Sequence, residues 1–190
     1  MKITALIQAV TVGLLLLLIS IAITPGCTSI DVPGTAAPGA GLQVGSEAPP
    51  LQLAEFVQGD PVESIQAGQV YVVEFWATWC PPCVKNMPHL GKLQQRYGDK
   101  VTFIGVSNED RTTVESFLNS PYSGDASKKM GQVAHYRIAL DDNLATNINY
   151  MEAAGQNAIP CAFIVGRDSK IRWIGHPAEI DRTLAAVVNE

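Results

Sequence analysis

The sequence predicts an α/β fold, a central mixed β-sheet flanked by helices, on three observations. A near-continuous apolar run, "QVYVVEFWA" at 69–77, is followed by a segment with helical spacing over 81–97. A second pair of the same kind follows, "VTFIGVS" at 101–107 and then a helix over Thr112 to Leu118. Near the end, "CAFIVG" and "KIRWIG" flank the turn residues "RDS". Strands and helices that alternate and then give way to a hairpin imply a mixed sheet sandwiched by helices.

Taken in order, residues 3–23 are almost uninterruptedly apolar, with Lys2 as a positive flank. A run of about 20 such residues is long enough to span a bilayer as a helix. Three readings stand side by side. The run can be an uncleaved membrane anchor, since a cleaved signal has a shorter apolar core and a small-residue cleavage site. It can be a lipoprotein signal, because "TPGC" resembles the end of one and would make Cys27 the acylated residue, although Thr24 stands where an aliphatic residue is usual. Or it can be removed from a secreted soluble form. Each puts the domain in the periplasm or extracytoplasmic space, where disulfide chemistry is in use. Residues 1–27 are thus the signal or anchor, the Gly, Pro and Ala-rich stretch 28–42 a flexible linker, and 43–190 the folded domain.

Within the domain, the β-branched run at 69–77 reads as a strand covered on both faces. The next helix is carried by Val84, Met87, Leu90, Leu93 and Tyr97, and Pro88 should kink it by removing a donor. "RIAL" at 137–140 reads as a short strand, and Asp142 as the cap of a helix over 143–154. "PYSGDASKKM" reads as a loop or lid, and a last helix covers about 179–189. A chain of 190 residues fits one domain with something appended. Its net charge of -5 excludes nucleic-acid binding, which needs clustered Lys and Arg.

The chemistry centres on "WCPPC". Cys80 comes just past a buried strand, and Pro81 sits in the first turn of a helix, where a missing N–H is harmless. Unpaired N–H groups and the positive helix end stabilise a thiolate there. Cys83 lies one turn further in, close enough to bond to Cys80 and resolve a mixed disulfide. Strand alternation sets Glu74 among apolar neighbours. Burial raises a carboxyl pKa, and the group is then either a proton donor and acceptor for Cys83 or the partner of a Lys or Arg at the sheet edge. Trp76 reads as core and Trp79 as an exposed apolar shelf beside the thiols.

The segment "FWATWCPPC" resembles the active site of thioredoxin-fold proteins, and among them the TlpA/ResA type of tethered or exported thiol–disulfide oxidoreductases. The resemblance extends over about 43–190 and also rests on "VGSEAPP", "MPHL", "VTFIGVSNE" and "NAIPCAFIVGRDSKIRWIGHP". It implies a thioredoxin-like fold, Cys80 as nucleophile, Cys83 as resolving thiol and an acid at position 74 serving as proton relay. It further implies a cis peptide at Ile159–Pro160, facing the cysteines and pairing with substrate backbone. Protein disulfides, including those of apocytochromes c, are the implied substrates, and a membrane dithiol carrier the implied electron donor. No bound cofactor is required, because the electrons reside in the dithiol.

Cys161 follows Pro160 where Thr is common in that family. It is either a small buried hydrophobe or a thiol near the pair that modulates it by competing for a disulfide or joining a soft metal. Zinc or copper binding is the alternative function, with His89, His135 and His176 as further donors; none has ligand spacing, and no metal residue is assigned. Val84 excludes covalent haem, which needs His after the second cysteine. A redoxin-type peroxidase would need Thr where Ala77 stands.

Overall fold

The computed structural model describes residues 41–190. The expected anchor over 1–27, Cys27 with it, and nearly all of the 28–42 linker lie outside the described residues. Among those residues no helix is long and apolar enough to cross a membrane.

The elements run β1 (Leu53–Gln58), β2 (Val70–Phe75), α1 (Pro81–Tyr97), β3 (Val101–Ser107), α2 (Arg111–Asn119), β4 (Pro121–Tyr122), β5 (Asp125–Lys129), α3 (Met130–Val133), β6 (Arg137–Asp141), α4 (Ala145–Asn147) widening into a π-turn (Ile148–Glu152), β7 (Cys161–Val165), β8 (Ile171–Gly175) and α5 (Ile180–Val188). Six strands form one sheet in the order β1-β6-β3-β2-β7-β8, and β4 pairs with β5 separately. The pairs β2 with β3 and β3 with β6 are parallel; β1, β7 and β8 pair antiparallel. This is the mixed sheet that the sequence pattern implies, with the thioredoxin-like order that the family resemblance implies.

β2 is central because every residue in it is buried. Val70 and Val72 face the cluster that holds Met87, Leu90 and Leu93 of α1 and Leu184 of α5. Tyr71, Val73 and Phe75 face the other cluster, with Tyr150, Met151 and Phe163. A strand covered on both sides has no polar face to alternate with, hence its unbroken apolar run.

Three parts of the chain depart from the sequence reading. β1 carries no clear period because it is a half-exposed outer strand, with two register shifts against β6. The segment read as a loop contains the β4–β5 hairpin, whose strands are polar and largely exposed. The helix expected from 143 begins at Ala145, because Asn143 (φ 49°) and Leu144 (φ 65°) are left-handed. Its cap is therefore Asp141, not Asp142: the Asp141 carboxylate accepts the N–H groups of Thr146 and Asn147, each at 2.8 Å.

The outer edge of β8 is partly closed by the start of the domain. Gly45 N–H donates to the Ile171 carbonyl, and Ile171 N–H to that of Ser46, each at 2.8 Å.

Gly91 is buried in the middle of α1, where a Cβ would strike the backbone carbonyl of Val133, the last residue of α3. Alanine in an open helix interior would stabilise by about 1 kcal/mol; here Gly91→Ala is expected to destabilise by about 2–3 kcal/mol through overpacking. A lowered urea midpoint in the full-length chain checks this.

Candidate active site

β2 hands the chain to α1 through Ala77, Thr78 and Trp79. Trp76 N–H donates to the Val106 carbonyl at 3.1 Å, and Cys80 N–H to that of Ala77 at 3.2 Å, which fixes both ends of the link. Cys80 is the N-cap of α1, with proline in the first turn. Its Sγ accepts the Cys83 N–H at 3.3 Å, so sulfur serves where a serine or aspartate oxygen usually caps. Cys80 and Cys83 are joined as a disulfide with Cα atoms 5.3 Å apart. Cys80 keeps 3% exposure and Cys83 none, which leaves Cys80 as the outer sulfur.

The Ile159–Pro160 peptide is cis, and the Ile159 carbonyl oxygen lies 3.8 Å from Cys80 Sγ. Trp79 is 70% exposed, whereas Trp76 is core. Beside the pair, Trp79 and Ile159 border a groove of about 380 Å³ floored by Phe75, Val106 and Met151. The structure thus brings Cys80, Cys83, Trp79, Ile159 and Pro160 together.

Glu74 lies on the α1 face of β2, 1% exposed. Among the described residues no cation pairs with it; Tyr136 Oη donates to its Oε2 at 3.0 Å, while its buried Oε1 finds no partner among them. Desolvation pushes the carboxyl up to about 8, only partly offset by the Tyr136 hydrogen bond. Gly105 stands beside Glu74 in the β2–β3 register. A Cβ there would crowd the Tyr136 ring and the Trp76 indole nitrogen, so glycine makes the space in which the tyrosine reaches the acid.

Of the two readings of Cys161, the structure fits the small buried hydrophobe rather than a modulating thiol beside the pair. It stands opposite Phe75 in the β2–β7 register, so its side chain joins the Tyr150 and Phe163 cluster on the sheet face away from Cys83. Burial pushes its thiol up to about 11, which keeps it protonated and a poor nucleophile or metal ligand. His89 is paired with Asp181 at 2.7 Å. Among the described residues no three His, Cys, Asp or Glu side chains converge as a metal site.

Two features had no signal in the sequence. Tyr136 is 62 residues from Glu74. Glu109 is 31 residues from Thr78, whose N–H and hydroxyl both donate to its carboxylate. Each follows from strand order alone.

A cysteine pair at the first turn of a helix, on a mixed sheet and opposite a cis-proline loop, defines a thioredoxin-fold thiol–disulfide oxidoreductase of the TlpA/ResA type. Residues 43–189 match the Redoxin family, and the chain belongs to it. It is similar to protein FixW of Rhizobium leguminosarum, 27% identical over 78% of this chain and 67% of that protein. It is also similar to the thiol-disulfide oxidoreductase ResA of Bacillus anthracis, 27% identical over 68% of each chain. The fold resembles the crystal structure of a thioredoxin-family thiol:disulfide interchange protein from Chlorobium tepidum, with TM-score 0.56, 22% identity and coverage of 75% of this chain and 96% of that one. It also resembles the thioredoxin domain of a thiol-disulfide oxidoreductase from Bacteroides vulgatus, with TM-score 0.55, 22% identity and coverage of 77% and 99%.

The raised Glu74 carboxyl has a sign that stability reports. Between its unfolded value of about 4.3 and about 8, the folded chain holds a proton the unfolded chain lacks, so stability is full below that window and falls as pH rises through it. Urea unfolding of the oxidised chain should show this fall, and Glu74→Gln should flatten it.

Proposed function

We propose that the chain is an exported, membrane-tethered reductant of disulfides in proteins outside the cytoplasm, with apocytochromes c among its substrates. The observation that carries the chemistry is the seat of Cys80: an N-cap sulfur facing the Cys83 N–H, where a thiolate gains from the positive end of a 17-residue helix. Support for export and tethering comes from the apolar run over residues 3–23.

In the reducing direction, Cys80 thiolate attacks one sulfur of the substrate disulfide, forms a mixed disulfide and expels the other sulfur as thiolate. Cys83 then loses its proton and attacks Cys80 Sγ, expelling the second substrate sulfur as thiolate and leaving the Cys80–Cys83 disulfide. Two electrons pass from the dithiol to the substrate. Glu74 receives the Cys83 proton: it is buried on the same sheet face, has one oxygen free and has a proton affinity near working pH. Tyr136, a neutral donor, holds the other oxygen and leaves the charge of Glu74 free to change. Backbone groups at Ile159 and Pro160 pair with the substrate chain, and Trp79 gives it an apolar rest. A membrane dithiol carrier returns the electrons, and no bound cofactor takes part.

Direction is tested by the reduction potential of the full-length chain, equilibrated with dithiothreitol or glutathione. A value near or below about -270 mV is expected; one near -120 mV would make the protein an oxidant. Cys83→Ser should trap substrates on Cys80 as mixed disulfides, and a trap that collects none would remove the protein-substrate reading.

The relay is tested by Glu74→Gln in stopped-flow measurements of mixed-disulfide resolution at pH 7. Resolution should slow by about 100-fold, with the wild-type rise in rate near pH 8 abolished. An unchanged pH profile would leave Glu74 as a buried acid without a role in transfer.

A further inference from the structure

The link that carries Cys80 is held by a residue from beyond the next strand. Glu109, two residues past β3, accepts the Thr78 N–H on Oε2 at 2.6 Å and the Thr78 hydroxyl on Oε1 at 2.7 Å. Ser107, fully buried at the end of β3, donates its hydroxyl to Oε2 at 3.2 Å and accepts the Glu109 N–H at 3.3 Å. Three donors converge on one carboxylate, at lengths typical of an ionised acceptor for the two Thr78 bonds. Thr78 is two residues from Cys80, so this charge is bonded to backbone within about 7 Å of the nucleophile's own.

Other ionisable groups on the elements around Cys80 include Glu74 on β2, Lys85 and His89 on α1, Glu152 in the π-turn and His176 after β8. Among the described residues none of these hydrogen-bonds to the 77–80 link. Among the described residues Glu109 is the acid hydrogen-bonded to it, and none of their cations pairs with Glu109.

We propose that Glu109 is a positioning residue of the thiol–disulfide site: its carboxylate clamps the Thr78–Trp79 link and sets a fixed negative charge behind Cys80, which makes the dithiol the stronger reductant. The sign follows from the couple. Reduction of the disulfide takes up two electrons and two protons, and Cys80 then releases one proton as its thiolate forms. The helix end favours that thiolate, and a nearby anion opposes it. Opposing the thiolate stabilises the disulfide relative to the reduced form and lowers the potential. The clamp also holds Trp79 and Cys80 in one presentation before substrate arrives. This inference needs only the Cys80–Cys83 couple and is independent of the Glu74 relay and of the electron donor.

The experiment compares full-length wild type with Glu109→Gln and Thr78→Val, reading the Cys80 thiol by alkylation rate against pH and the potential in dithiothreitol buffers. Glu109→Gln should raise the Cys80 acid constant about tenfold and move the redox equilibrium about tenfold toward the dithiol, ~30 mV less negative. Thr78→Val loses a clamp bond and keeps the charge, so kcat/KM should fall while the Cys80 acid constant and the potential stay put or move in the opposite sense to Glu109→Gln. Loosening the link without an electrostatic effect would weaken the helix-end contact and raise the Cys80 pKa, the opposite sign. An unchanged or raised Cys80 pKa in Glu109→Gln, or an unchanged potential, overturns the proposal. Should that variant fail to fold, Glu109→Asp withdraws the charge from Thr78 and must shift both readings in the same direction by a smaller factor; no shift overturns it. A wild-type potential near -120 mV would remove the reductant reading while leaving the Glu109 comparison intact.

Discussion

The burial of β2 on both faces and its pairing on both edges is the constraint on which the site depends. Held between β3 and β7, with helices over one side and the π-turn region over the other, this strand has no freedom to slide. A one-residue slip would exchange its two faces, sending Glu74 to the Tyr150 side and Phe75 under α1. The direction in which the chain leaves β2 is therefore set by the core. The N-cap position of Cys80, its distance from the Ile159 carbonyl and the reach of Thr78 to Glu109 are all consequences of where that strand ends.

The same burial creates the domain's main electrostatic difficulty, an acid in the apolar layer beneath α1. A cation would settle it but would also hold Glu74 ionised. The chain instead uses Tyr136, whose own ionisation burial and the neighbouring acid make harder still. The acid is thus bonded without being neutralised by an opposite charge, and the missing side chain at Gly105 makes the room. Two carboxylates on the elements around the cysteine pair thus sit in different surroundings. Glu74 is desolvated and holds its proton readily; Glu109, two residues past β3, accepts from Thr78 and Ser107.

Much of this was legible from periodicity. β2, β3, β7 and β8 are apolar runs bounded by turn residues, and α1 shows its buried stripe directly. The cysteine pair, Trp79 and the Ile159–Pro160 loop could be read from a motif because they cluster in two short stretches. β1 escaped because an irregular outer strand has no period to read, and Asp141 displaced Asp142 because two left-handed residues intervene before the helix. Cys161 stayed between two readings for a similar reason: sequence shows that it follows Pro160, but only the register with Phe75 shows which side of the sheet it faces. Tyr136 and Glu109 reach their partners through strand order, a property that no local window contains.

The margins of the sheet bear on the company such a protein keeps. Chains that present disulfides for exchange are often incompletely folded and carry unpaired backbone of their own. A regular, open border would let them add as an extra strand far from the cysteines. Here one border is broken by the two shifts in β1, and the other is occupied near Ile171 by the backbone of residues 45–48. Neither margin therefore offers visiting polypeptide a long, regular edge on which to add as a further strand.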